Sequence, residues 1–275
     1  MLGRIFVSLV LLLSASFAIH LVSPEVKDVK TGDVVDIGTI GPGQTVSLLI
    51  DRQVTTGGVH GEGGLYDMAV AEDLPRGWAQ KESTLYQDPL QVTITADPNT
   101  PEGDYTVLIK VVDEGEGLTP GTTGEQLGNV TFLVKVHITY DVMDFEVSPA
   151  YMTVGPGQPA RFAIRVTNKG STSDVFEVSA TGAKQWEFVR PVFVPAQTTK
   201  TIPYEIVASE EETYRTTINV VSKASPIIAD QKNVTLFVKS DLIGDYKATN
   251  NGVIVFPIFE APVYALAGLI SNLFG

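Results

Sequence analysis

Cysteine is absent from all 275 residues, so neither disulfides nor thiolate metal sites can form. Histidine is scarce too. His20, His60 and His137 lie far apart, and none has a second histidine or a carboxylate at a metal-ligand spacing such as HExxH. Basic residues are few: 19 Lys and Arg stand against 32 Asp and Glu, for a formal charge of -13. A binder of phosphate backbones must supply cations, so a nucleic-acid partner is excluded. There is no nucleophile elbow, phosphate-binding loop or dinucleotide fingerprint. The glycine-rich run 55–64 lacks the helix that a phosphate cradle requires after it. These gaps lead to the expectation of a non-enzymatic chain that takes no cofactor and no metal.

What the sequence does have is apolar content and turns. Apolar residues make up 44% of the chain, enough for two cores, and 25 glycines with 16 prolines imply many turns. Charge is uneven, with 18 acidic against 7 basic residues over 19–140 but 12 against 10 over 141–241. The first half should therefore be the more soluble, cation-attracting one.

Residues 1–18 carry one positive charge at Arg4, an apolar run from Ile5 to Leu13, and small residues at Ser16 and Ala18. This is the pattern of a signal peptide cleaved after Ala18, and its apolar run is too short to span a membrane. At the other end, residues 252–275 form an apolar stretch with a single charge, Glu260. Pro257 and Pro262 break it. A helix is best started near Pro262, with Glu260 at its positive end, and would be only about 18 Å long. Its docking side chains are expected to be Val253, Ile254, Phe256, Ile258 and Phe259 in the lead-in, then Val263, Tyr264, Leu266, Leu269, Ile270, Leu273 and Phe274. Lying in the membrane, crossing it with a kink, and docking on another envelope protein or a second copy all stay open.

Between the two ends the chain repeats itself. Gly41-Pro-Gly-Gln44 recurs at Gly155-Pro-Gly-Gln158, Trp78 at Trp186, Tyr105 at Tyr214, and Asn129-Val-Thr at Asn233-Val-Thr. The offsets are 114, 108, 109 and 104 residues, so two similar units differ by small loop changes. Each unit has short β-branched strands of period two separated by Pro, Gly, Asn and Asp. The fold expected is therefore all-β: two tandem immunoglobulin-like sandwiches, 19–140 and 141–241, followed by a linker and tail over 242–275. The core should contain Val46, Leu48, Ile50, Trp78, Val92, Ile94, Tyr105, Val107, Ile109 and Val111 in the first unit. In the second it should contain Phe162, Ile164, Val166, Phe176, Val178, Trp186, Ile202, Tyr214 and Ile218. Both tryptophans read as core plugs, and each tyrosine resembles a tyrosine corner, whose hydroxyl ties a loop back to the backbone.

The run Val166-Thr-Asn-Lys-Gly170, with Asp174-Val-Phe-Glu-Val178, Trp186, Val194-Pro-Ala196 and Tyr214, resembles the immunoglobulin-like module associated with bacterial alpha-galactosidases. That module also occurs in tandem in archaeal surface and membrane proteins. The first unit keeps Leu74-Pro-Arg-Gly-Trp78 and the run 97–105 but lacks the Asn-Lys-Gly turn. The resemblance implies a spacer or accessory domain without catalytic residues.

Other candidates are weaker. The acidic runs Asp113-Glu-Gly-Glu116 and Glu210-Glu-Glu212 lack the alternate spacing of a calcium loop and read as solvated turns. Tyr66, Tyr86 and Tyr151 would be the stacking platforms if the chain were a polysaccharide-binding module; a protein-binding accessory module is the other alternative. Asn129 and Asn233 satisfy the glycosylation sequon, but copying a strand start explains both without a glycan. The function expected is an exported structural or interaction protein held at the cell envelope by its tail. The chain exported by its native host should begin at Ile19 and show no mass beyond its polypeptide. An intact-mass measurement checks both points, and excess mass would place glycans on the sequons.

Overall fold

The computed structural model describes residues 18–52, 66–113 and 129–240. The expected signal peptide up to residue 17, His60, Glu114, Glu116 and the expected docking residues of 252–275 lie outside the described residues. Two compact units divide between Ile138 and Thr139.

Among the described residues the first unit has nine strands: β1 (Ala18–Ser23), β2 (Lys27–Lys30), β3 (Val34–Ile40), β4 (Thr45–Asp51), β5 (Met68–Glu72), β6 (Ala79–Lys81), β7 (Leu90–Thr95), β8 (Gly103–Val112) and β9 (Val130–Ile138). One sheet has the order β2-β1-β4-β7-β6 and the other β3-β9-β8-β5, with β3 running parallel to β9. Alternation decides which side chains face inward. Val46, Leu48 and Ile50 on β4 sit opposite Ile94, Val92 and Leu90 on β7, and all six are buried. Val107, Ile109 and Val111 meet them from the second sheet, in one continuous core. The orders β1-β4-β7-β6 and β3-β9-β8-β5 correspond to immunoglobulin strands A-B-E-D and A′-G-F-C.

The second unit repeats this plan with β10 (Met143–Ser148), β11 (Tyr151–Val154), β12 (Pro159–Asn168), β13 (Asp174–Thr181), β14 (Phe188–Val194), β15 (Thr199–Val207), β16 (Thr213–Ser222) and β17 (Ala229–Val238). Its sheets are β10-β12-β15 and β11-β17-β16-β13-β14. Phe162, Ile164, Val166, Phe176, Val178 and Ile218 are buried in its core. Here the fourth strand sits on the other sheet. β6 pairs with β7, the E strand, whereas β14 pairs along its whole length with β13, the C strand.

The repeated Gly-Pro-Gly-Gln motif has a local cause. Proline presets the first corner of a turn, and the second glycine takes φ +75° at both Gly43 and Gly157, a region closed to most side chains. The turn then closes twice. The Gln44 amide donates to the Gly41 carbonyl at 3.2 Å, and the Gly41 amide donates to Gln44 Oε1 at 2.8 Å. In the second unit the corresponding distances are 3.1 and 3.3 Å. Gln44 is buried and Gln158 only partly so.

Gln44→Ala would therefore strand a buried donor and should destabilise the first unit by about 1–3 kcal/mol. Gln158→Ala, with its longer and wetter bond, should cost the second unit less. Denaturant unfolding of the two variants tests the order; equal losses would show that the side-chain bond is not what closes the turn.

Candidate functional site

In the second unit, β13 runs into a 3-10 turn, Lys184–Trp186, before the chain doubles back as β14. Gly182 makes this possible. Its φ is +104°, and a Cβ there would sit 2.7 Å from the Arg215 carbonyl oxygen, so only glycine lets the turn lie against the start of β16. The Gly182 amide donates to Glu187 Oε1 at 3.0 Å, and the Trp186 amide donates to the Ala183 carbonyl at 2.8 Å. From the core side, the Tyr204 hydroxyl donates to the Trp186 carbonyl at 3.2 Å. The turn is thus fixed from both sides.

Trp186 and Tyr214 meet edge to face, with centroids 5.6 Å apart at 88°. Both are only partly buried. Between the turn and the start of β16 lies an open groove of about 470 Å³, lined by residues 182–186 on one side and by Ser209, Glu210 and residues 212–215 on the other. Glu211 faces elsewhere, its Oε1 accepting from the Ser240 amide at 3.3 Å. Burial, and after it the carboxylates of Glu212 and Glu210, hold the Tyr214 phenol above its ordinary pKa. The groove therefore combines a partly open aromatic pair, a protonated phenol and two carboxylates, with Lys184 and Arg215 also among its lining residues.

In the first unit the tryptophan of the matching pair is buried, while its tyrosine is partly buried as Tyr214 is. Trp78 is 8% exposed, and its Nε1 donates to Thr100 Oγ1 at 3.0 Å. Tyr105 packs beside it at 5.4 Å, and its hydroxyl donates to the Pro101 carbonyl at 3.0 Å. Tyr105 is thus a tyrosine corner, and Trp78 is the core plug expected of it. Neither expectation transfers to the second unit. Trp186 only borders the core, and no hydroxyl-to-backbone bond ties Tyr214 among the described residues.

The other candidates fall elsewhere. Tyr66, expected as a stacking platform, is 1% exposed, with its phenol raised by burial and by Asp113. Tyr86 is partly buried with its ring 5.1 Å from the Arg52 guanidinium, and Tyr151 alone is open, at 70%. Burial of Tyr66 removes the three-tyrosine platform. Asn129 is exposed just before β9, whereas Asn233 lies inside β17, where its Oδ1 accepts from Thr217 Oγ1 at 2.9 Å. The copied sequon is therefore not a strand start in the second unit.

Strand pairing also brings together groups that sequence spacing had separated. His20 lies opposite Asp28, with Nδ1 2.8 Å from Oδ1, and His137 lies opposite Asp104 at the same distance. His137 and Lys135 together hold the Asp104 carboxyl below its ordinary pKa. These are exposed cross-strand pairs. Among the described residues, no group of three or more His, Asp or Glu side chains is placed to hold a metal ion, and no helix is long and apolar enough to cross a membrane. One buried charge escaped the sequence reading. Arg52 donates through Nε to the Tyr66 carbonyl at 2.7 Å and lies 3.4 Å from Asp67 Oδ1, joining the end of β4 to the approach to β5.

No family model matches the chain, and no curated protein does. Among solved structures it is similar to a chimeric titin Z1Z2 functionalised with a decorin peptide: 15% identity, 82% of this chain and 100% of that one, TM-score 0.36. A titin Ig tandem gives 10% identity over 82% and 98%, with TM-score 0.28. A CARDB domain from Pyrococcus furiosus, solved in complex with di-metal ions, gives 17% over 36% and 91%, with TM-score 0.28. Likeness at these scores carries no argument, and the immunoglobulin-like assignment rests on strand order.

Because Glu212 is the larger carboxylate influence on Tyr214, Glu212→Gln should lower the pH at which that phenol titrates. Burial should keep it above the ordinary tyrosine value. A titration of ¹³C-labelled tyrosine followed by NMR reads the shift, and an unmoved Tyr214 would show that the carboxylate does not face the hydroxyl.

Proposed function

We propose that this chain is an exported, non-catalytic interaction protein of the cell surface, in which two immunoglobulin-like units are presented outward and residues 252–275 attach them to a membrane or an envelope partner. The observation that carries the reading is the pairing of a leader-like N-terminus with a 24-residue apolar stretch bearing one charge, on either side of two units that already have their own closed cores. An apolar stretch of that length suits burial against lipid or protein. Cross-strand ion pairs and satisfied turns account for most of the remaining polar side chains named above, which suits a scaffold better than a reaction centre.

A second reading, an accessory module that binds a polysaccharide or a protein, is favoured by one observation: Trp186 is partly open on a groove, whereas its counterpart Trp78 is buried. The two readings are compatible, since a surface protein can carry a binding face.

Membrane flotation tests attachment. The full-length protein should rise with the membrane fraction from its native host, and the same chain lacking 252–275 should stay in the soluble fractions. Flotation of the truncated chain, or release of the intact one wholly into the medium, would overturn the tail's role.

A further inference from the structure

We infer that the groove between the 3-10 turn and the start of β16 binds a sugar ring of an uncharged glycan. This rests on reading the chain as an interaction protein and gives that reading a ligand class. Three features of the groove converge on it.

The first is the aromatic surface. Trp186 is partly buried and borders the groove, so part of a large flat ring is available in a concave site. A pyranose has an apolar C–H face of matching shape, and aromatic side chains that are neither sealed nor fully exposed suit a ligand with one apolar face and a polar rim. The groove's volume lies within the range of about 300–1,000 Å³ typical of small-molecule sites.

Charge supplies the second feature. The carboxylates of Glu212 and Glu210 both act on the Tyr214 phenol, so an anionic sugar would meet like charge there. Sugar hydroxyls suit this lining because each can donate to a carboxylate. The Tyr214 phenol adds a group that both donates and accepts.

Rigidity is the third. The turn that carries Trp186 is tied by the Gly182 amide to Glu187, by the Trp186 amide to Ala183 and by Tyr204 to the Trp186 carbonyl. The tryptophan is therefore held before a ligand arrives, which reduces the ordering entropy lost on binding. The groove also lies at an end of the sandwich, where loops rather than the sheets' ladders set the surface.

The full-length protein in detergent micelles, applied to an array of neutral and acidic oligosaccharides, tests this. Neutral glycans should be retained, with affinity lowered about tenfold or more by Trp186→Ala. Because Trp186 also touches the core, Glu212→Gln serves as the second variant: it alters only an exposed carboxylate and should weaken binding as well. Tyr151→Ala, an open aromatic outside the groove, should leave binding unchanged. Retention of acidic glycans alone, no retention of any neutral glycan, or binding that survives both groove variants would overturn the inference. Failure here together with normal flotation would remove the ligand and keep the surface reading; sugar binding by a protein that does not float would do the reverse.

Discussion

Apolar contact between facing sheets holds each sandwich shut, and the absence of cysteine means that no covalent bond shares the task. In antibody domains the second bridging cysteine stands two residues after the corner tyrosine. Here those positions are Val107 and Thr216, both buried. Loss of such a bridge typically costs a small domain about 2–5 kcal/mol. Full burial of one aliphatic or aromatic side chain contributes about 1.5–3 kcal/mol, so two well-packed residues offset it. The cores supply many more, including Leu48, Ile50, Leu90 and Phe132 in the first unit and Phe162, Phe176 and Ile164 in the second. Everything at the ends of the sandwiches, including the groove, depends on that packing holding the sheets at a fixed distance.

Much of this was legible in the sequence because its causes are local. A period-two strand such as Thr199–Val207 announces itself whatever surrounds it, and a Gly-Pro-Gly-Gln turn needs only four residues to close. The core assignments followed from the same alternation, which is why most strand residues held while the three exceptions, Tyr105, Trp186 and Tyr214, are only partly buried and lie outside regular ladders or near their starts.

The candidate site was not legible, because its causes are distant in sequence. Glu210 and Glu212 read as wet residues of an exposed turn, and Trp186 as a core plug; only the approach of residues 182–186 to 209–215 makes them one groove. The nearest sequence signal was Gly182, since an isolated glycine at the end of a strand can mark close backbone approach. His137 and Asp104 were missed for the same reason, being 33 residues apart and adjacent only through the register of β8 and β9. The sheet chosen by the fourth strand was equally hidden. Glu72 to Ala79 and Thr181 to Phe188 are connections of equal length, yet they lead to opposite sheets.

The two cores also differ at one matched cross-strand pair. With the two units aligned on their Gly-Pro-Gly-Gln turns, Leu48 matches Phe162, and their cross-strand partners are Val92 and Tyr204. An aliphatic pair in the first unit is thus replaced by an aromatic pair in the second, with Phe162 and Tyr204 6.2 Å apart and Phe188 adding a third ring 5.4 Å from Tyr204. Trp78 is buried, and its connection crosses toward the E strand. Trp186 borders the core, and its connection folds back on the C strand. The Tyr204 hydroxyl donates to the Trp186 carbonyl, so a ring of the second core anchors the tryptophan at its edge. A net hydrogen bond of about 1 kcal/mol there compensates for the corner bond that Tyr214 does not make. The aliphatic pair in the B and E strands of the first unit thus goes with a buried tryptophan, and the aromatic pair of the second with a tryptophan tied at the rim of a groove.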